Sequence, residues 1–208
     1  MFLDTPLISK SGRVALVPPN EADDEAVLAL FSDPATRRFM PYMHKNPTIE
    51  HVRARRINDA ADNTRISFSI HALSGTENAS SKRKHEFAGI VVIMAIDTVY
   101  GNSCELGMML PSKYVGGRLG TEALFTVLEY IFETRRFHRV VIQTWVDHTV
   151  VCRWVERAGG VLEGIQRDCW SNGEGGHVDV CLYGILEKEW RNTMKPWFER
   201  DTQVRARM

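Results

Sequence analysis

Between Glu105 and Arg136 the chain reads ELGMMLPSKYVGGRLGTEALFTVLEYIFETRR. A carboxylate in an apolar run is followed by Pro111, by three glycines in five residues (Gly116, Gly117, Gly120) and by a helical pattern. A glycine-rich turn feeding a helix leaves several backbone N–H groups pointing one way, beside the positive end of the helix dipole, and so makes an anion site. Two common phosphate patterns do not fit. No Lys precedes Thr121, as G-x-x-x-x-G-K-[ST] requires, and the spacing G-G-x-x-G departs from G-x-G-x-x-G. Elsewhere, His148 offers an imidazole that can titrate near neutrality, and Tyr183 a phenol with a proton to give.

The elements that must carry these groups follow from periodicity. Leu124, Val127, Leu128, Ile131 and Phe132 fall at i, i+3, i+4, i+7 and i+8, which predicts a helix from about Thr121 laid against a sheet. Cys104–Leu110 reads as a strand before it, and Arg139–Val146 as a strand buried on both faces after it. Strand, helix and strand then form a βαβ unit whose two strands are parallel neighbours. Upstream, Gly12–Pro18 is a first strand, Asn20 caps a helix through Phe31, and residues 32–47, with three prolines, are irregular. Thr48 opens a second helix, and Ile66–Leu73 and Phe87–Asp97 are strands joined by a polar loop. Downstream, Asn172-Gly173 marks a hairpin turn whose last strand ends at Glu189-Trp190, leaving residues 191–208 as a polar peripheral extension. One domain, 1–208, is expected, with its core in about 12–190.

Composition excludes some functions. Among 208 residues, 26 Lys and Arg balance 26 Asp and Glu, so no global field attracts nucleic acid or an anionic membrane. Cys104, Cys152, Cys169 and Cys181 form no C-x-x-C pair and no His cluster has ligand spacing, so no metal is expected and the thiols read as reduced. The N-terminus lacks a signal-peptide core and the apolar run Ala88–Ile96 is too short to span a bilayer. These features predict a cytoplasmic monomer or homodimer.

The central stretch resembles the acetyl-CoA diphosphate loop of the GNAT N-acetyltransferase superfamily, [QR]-x-x-G-x-[GA], and within it the RimJ/RimL-like branch. The matching residues are Glu105, Leu106, Gly107, Leu110, Tyr114, Gly116, Leu119, Gly120, Thr121, Glu122 and Ala123. Val115 stands where Gln or Arg is usual, and Arg118 where the first motif glycine belongs. A second segment, His148–Gly164, resembles the family's following helix through Arg153, Glu156, Arg157, Gly159, Glu163 and Gly164. There His148 replaces an Asn that meets the pantetheine arm, Val151 a Ser, Gly160 a Phe, and Val155 a Tyr that can protonate the thiolate. The closing hairpin with Asp179 and Tyr183 completes a resemblance over residues 12–190.

That resemblance implies an α/β (α+β) fold: a mixed sheet of about seven strands, splayed between the fourth and fifth beyond Leu110 and Trp145, flanked by about four helices. It implies acetyl-CoA as co-substrate, with the pantetheine arm and the thioester oxyanion on the backbone of Met108, Met109 and Leu110. The diphosphate would rest on Val115, Gly116, Gly117, Arg118, Leu119, Gly120 and Thr121, with His148 and Arg153 completing the set. The acceptor is a primary amine of a small molecule or a protein N-terminus, bordered by Tyr42, Glu105 and Trp170. Glu105 is the candidate base, or else a plain surface carboxylate; His148 is a second base, or else a cap. Tyr183 or solvent would protonate the thiolate. Lys82, Arg83 and Lys84 either touch a 3′-phosphate or keep a loop soluble, and Arg53, Arg55 and Arg56 either meet an acidic acceptor or form a solvated face. The changes at Val115, Arg118, His148 and Val155 keep open a second possibility, a catalytically weak or inactive CoA-binding sensor.

Overall fold

The computed structural model describes residues 5–40, 43–75 and 83–206, with side chains through residue 200. Contacts divide the chain into two units, Met1–Met94 with Gly107–Leu128, and Ala95–Leu106 with Glu129–Met208.

In the first unit, β1 (Leu7–Ile8) pairs with β2 (Val14–Val17). Val14, Ala15 and Leu16 are all buried, so β2 is an interior strand despite its brevity. The Asn20 side chain accepts from Ala22 N–H, and a single 3-10 turn leads into α1 (Asp24–Ser32). The proline-rich stretch expected to be irregular holds a short helix, α2 (Pro34–Arg37), because Asp33 accepts from Ala35 and Thr36 N–H and Pro34 suits the first helical position. Thr48 caps α3 (Ile49–Ala61), as the sequence indicated. β3 (Ile66–Ser74) then pairs antiparallel with β2 and with β4 (Lys84–Asp97). Leu30, Phe31, Val52, Ile90 and Met109 form a buried cluster in this unit.

β5 (Ser103–Met109) leads to α4 (Arg118–Glu129), which begins three residues earlier than the predicted Thr121. Arg is a good helix former, and Glu122 sits one turn on from Arg118, so residues 118–120 join the helix rather than the loop. Along it Ala123, Val127 and Leu128 are fully buried, while Leu124, expected in the stripe, is half-buried.

In the second unit, β6 (Arg139–Trp145) runs parallel to β5, pairing Ser103 with Arg139, Cys104 with Val140 and Glu105 with Val141. The ladder ends there, short of the predicted Leu110 and Trp145, while β6 continues to Trp145 opposite Val180. α5 (Thr149–Ala158) stops at Gly159, whose φ of 102° turns its N–H onto the Glu156 and Val155 carbonyls. β7 (Val161–Ser171) and β8 (His177–Leu186) form the closing hairpin. The sheet is mixed and eight-stranded, ordered β1-β2-β3-β4-β5-β6-β8-β7; the short β1 is the strand beyond the seven expected.

The C-terminal expectation is corrected. β8 ends at Leu186, α6 (Glu187–Glu189) is a single turn, and α7 (Lys195–Ala206) follows. Trp190, Met194 and Phe198, spaced by four, are buried, and the Trp190 indole stacks on Phe132 at 5.6 Å while donating to Glu133 at 3.1 Å. An apolar stripe in an otherwise polar segment makes these residues part of the core.

Candidate active site

The residues proposed to hold a cofactor diphosphate lie on one continuous run in the first unit. Its turns are local: Tyr114 N–H donates to Pro111 O at 2.9 Å, Val115 N–H to Ser112 O at 3.2 Å, and Gly117 N–H to Tyr114 O at 3.3 Å. The Gly117 amide is therefore already engaged within the loop. Gly116 has φ of +74°, which reverses the chain ahead of the helix, and nothing lies within 4 Å of where a Cβ would stand. From Arg118 onward the backbone is helical, so a side chain at the motif's glycine position needs no left-handed conformation. At Gly120 a Cβ would sit 2.8 Å from Leu110 Cδ1, so the missing side chain lets α4 approach the end of β5. First-turn N–H groups, directed out of the helix at its positive end, suit an anion such as a phosphate.

The second unit carries the titratable candidates. Glu105 is half-buried on β5 and accepts from Gln143 Nε2 on β6 at 3.1 Å. Burial raises its carboxyl above the usual range, with the Gln143 hydrogen bond opposing that rise. Such a carboxylate is closer to the pKa a general base needs at neutral pH than an exposed one. Gln143 was not anticipated. Its only signal was a lone amide in the apolar run VVIQTW.

His148 is the N-cap residue of α5, but its side chain makes no cap hydrogen bond; its Nδ1 lies 3.2 Å from Thr144 Oγ1. The backbone carbonyl does the capping, accepting from Val151 and Cys152 N–H at 3.0 and 3.1 Å. Arg153 is exposed one turn along, beside an open groove of about 350 Å³ that Thr149, Val150, Glu156 and Arg157 also line.

Tyr183 is buried and its hydroxyl donates to Glu156 Oε1 at 2.8 Å. Burial and that acceptor hold the phenol proton firmly, pushing its pKa up. Val155, in the family's tyrosine position, is fully buried, and its Cγ1 is 2.5 Å from where a Gly160 Cβ would be. These two departures are thus one packing solution: a branched side chain beside an absent one. Cys104, on β5, is a buried thiol pushed up to about 12 by burial, and so inert.

Trp170 is half-buried on β7 opposite Val178, just before the hairpin loop in which Asn172 Oδ1 accepts from Glu174 and Gly176 N–H. Tyr42 and Lys82 lie outside the described residues. Arg83 donates to Gly12 O at 2.9 Å. The arginines of α3 meet the chain's own carboxylates, Arg56 gripping Asp24 at 3.0 and 3.1 Å and Arg55 reaching Asp59 at 3.6 Å. Among the described residues no group of His, Cys, Asp and Glu could hold a metal ion, and no helix is long and apolar enough to cross a membrane.

A mixed sheet with a parallel β5–β6 pair and a glycine turn into the intervening helix define an α/β fold. The profile of the GNAT acetyltransferase domain matches residues 13–161, and the chain belongs to this family. Solved structures agree. A protein of T. thermophilus assigned as an acetyltransferase superposes with a TM-score of 0.77 at 26% identity, covering 96% of this chain and 97% of its own. RimJ of Mycobacterium smegmatis, solved with CoA-disulfide, gives 0.74 at 20%, covering 91% and 90%. Spermidine N-acetyltransferase of Vibrio cholerae, solved with CoA and spermine, gives 0.73 at 16%, covering 86% and 99%. No curated protein matches the chain in sequence.

Proposed function

We propose that this protein transfers the acetyl group of acetyl-CoA to a primary amine, by direct attack on the thioester. The observation that carries the reading is the loop of a GNAT-family chain with left-handed Gly116 ahead of a helix starting at Arg118. The diphosphate rests on the run Val115 to Thr121, and the backbone of Met108 to Leu110 serves the pantetheine arm and the developing oxyanion. Glu105 takes the proton of the attacking amine, directly or through water, as the C–N bond forms. The C–S bond then breaks and the thiolate leaves. Solvent supplies its proton, since Tyr183 could give its own only by releasing Glu156.

His148 and Arg153 contribute to the cofactor side, and Tyr42 and Trp170 to the acceptor side. A small amine is the favoured acceptor over a protein N-terminus, because balanced charge offers no ribosome-directed surface; the RimJ/RimL-like motif supports that branch of the family. The reading places the protein in the cytoplasm, as a monomer or homodimer, in keeping with four cysteine thiols.

The test is thiol release from acetyl-CoA against a panel of amines and N-terminal peptides, with calorimetry for CoA. Thiol release that depends on one class of amine supports the reading. CoA binding with no release under any acceptor instead supports the sensor, which Val155, buried in place of a proton donor, favours.

A further inference from the structure

Glu122 is a charged residue only 5% exposed, in the first turns of the helix whose N-terminus is read as the diphosphate site. A lone carboxylate there would repel the anion that the turn attracts. Its surroundings reverse that effect. Ser11 Oγ and Arg13 Nη2 both bond to its carboxylate, and Arg118 Nε lies 4.0 Å from Oε1. Two guanidinium groups around one carboxylate leave a net positive charge. The one on the loop side is Arg118, the first residue of α4, with its side chain 32% exposed.

Resting on the acetyl-CoA reading, we propose that Glu122 is a positioning residue for the cofactor. Clamped by Ser11 and Arg13, it holds the Arg118 guanidinium at the helix start so that its outer N–H donors meet the diphosphate, where the family motif has a glycine. Arg is suited to this because its planar fork can face a carboxylate with one edge and a phosphate with another. The arrangement also offsets the Gly117 amide, which is spent on Tyr114 O. The departure at position 118 therefore supplies a donor and a charge in place of close backbone approach.

Calorimetry with CoA and with pantetheine, which lacks the diphosphate, tests this on the wild-type chain, Glu122→Gln, Arg118→Ala and the double variant. The CoA Kd should rise about tenfold in each single variant, a loss of about 1.4 kcal/mol, and no further in the double. The pantetheine Kd should shift less than about twofold. A Glu122→Gln chain that binds CoA as tightly as wild type or tighter, or losses that add in the double variant, overturns the proposal alone. A wild-type chain that takes up no CoA overturns the acetyltransferase reading beneath it as well. Because Glu122→Gln leaves Arg13 without its counter-charge, Arg118→Lys is a second arm: it keeps the charge and loses the fork. Its CoA Kd should rise about fivefold, and an unchanged Kd overturns the proposal.

Discussion

Gln143 Nε2 donates to Glu105 Oε2 at 3.1 Å, joining the last β5 residue of the β5–β6 ladder to the β6 residue two places past its partner Val141. Burial raises the Glu105 carboxyl and the amide pulls it back, so the acidity of the proposed base is set by two opposed neighbours. Replacing Glu105 by Gln should lower turnover by about 10²-fold or more, because a positioned base is worth that much in the transition state. Steady-state thiol release across the full pH range measures it, and an unchanged rate removes Glu105 as the base.

Gln143→Leu makes the complementary case. The hydrogen bond favours the ionised carboxylate, so losing it moves the Glu105 pKa further up and the ascending limb of the pH–rate profile to higher pH. A limb that stays in place, or moves down, means that the titrating group in the profile is another residue.

The same shift has a sign in stability. In the unfolded chain Glu105 titrates at the ordinary value of about 4.3; folded, its pKa is raised, first by burial. Between the two the folded form binds more protons, so stability falls as pH rises through that window and stays lower above it. Glu105→Gln should therefore raise the melting temperature at neutral pH relative to wild type, and the advantage should vanish below about pH 4. Thermal melts at the two pH values measure the difference; equal advantages at both would contradict burial as the cause.

Gly160→Ala would bring a Cβ within 2.5 Å of Val155 Cγ1 and 3.2 Å of the Val155 carbonyl. Such overpacking costs about 1–3 kcal/mol. Val155→Ala relieves the first contact, so the double variant should be less destabilised than the sum of the single ones, as read from denaturant unfolding. Strict additivity would mean that the two positions do not share their space.

Trp190→Ala removes a fully buried indole that stacks on Phe132 and bonds to Glu133. A loss of about 3–5 kcal/mol is expected, measured by the same unfolding experiment. A loss below about 1 kcal/mol would place the segment after Leu186 outside the core.

Much of the frame was legible from local pattern. The stripe from Val127 to Phe132, the caps at Asn20 and Thr48, and the run of branched residues in β6 each follow from side-chain periodicity or from one hydrogen bond between near neighbours. The parallel β5–β6 pair followed from the helix between them. The glycine turn ahead of α4 was legible for the same reason, since the hydrogen-bonded turns from Pro111 to Gly117 close over three residues.

Three features depended on more than neighbours in sequence. Helix α4 starts at Arg118, beside a Glu122 carboxylate held by Ser11 and Arg13, more than 100 residues away. The spacing Trp190, Met194, Phe198 was readable as a stripe, but the surrounding charge masked it until Phe132 and Glu133 supplied its partners. The Tyr183 phenol was legible as one of two possible proton sources, but its hydrogen bond to Glu156, 27 residues away, was not.

The sequence by itself determined which residue types were present, their periodicities and the turn ahead of α4, because these rest on interactions spanning a few residues. Tertiary structure alone decided which carboxylate meets which donor: Glu105 with Gln143, Glu156 with Tyr183, Glu122 with Arg13. The physical reason is that a side chain's acidity and charge balance are set by burial and by partners brought from distant strands, and strand register is fixed only when the whole sheet closes its hydrogen bonds.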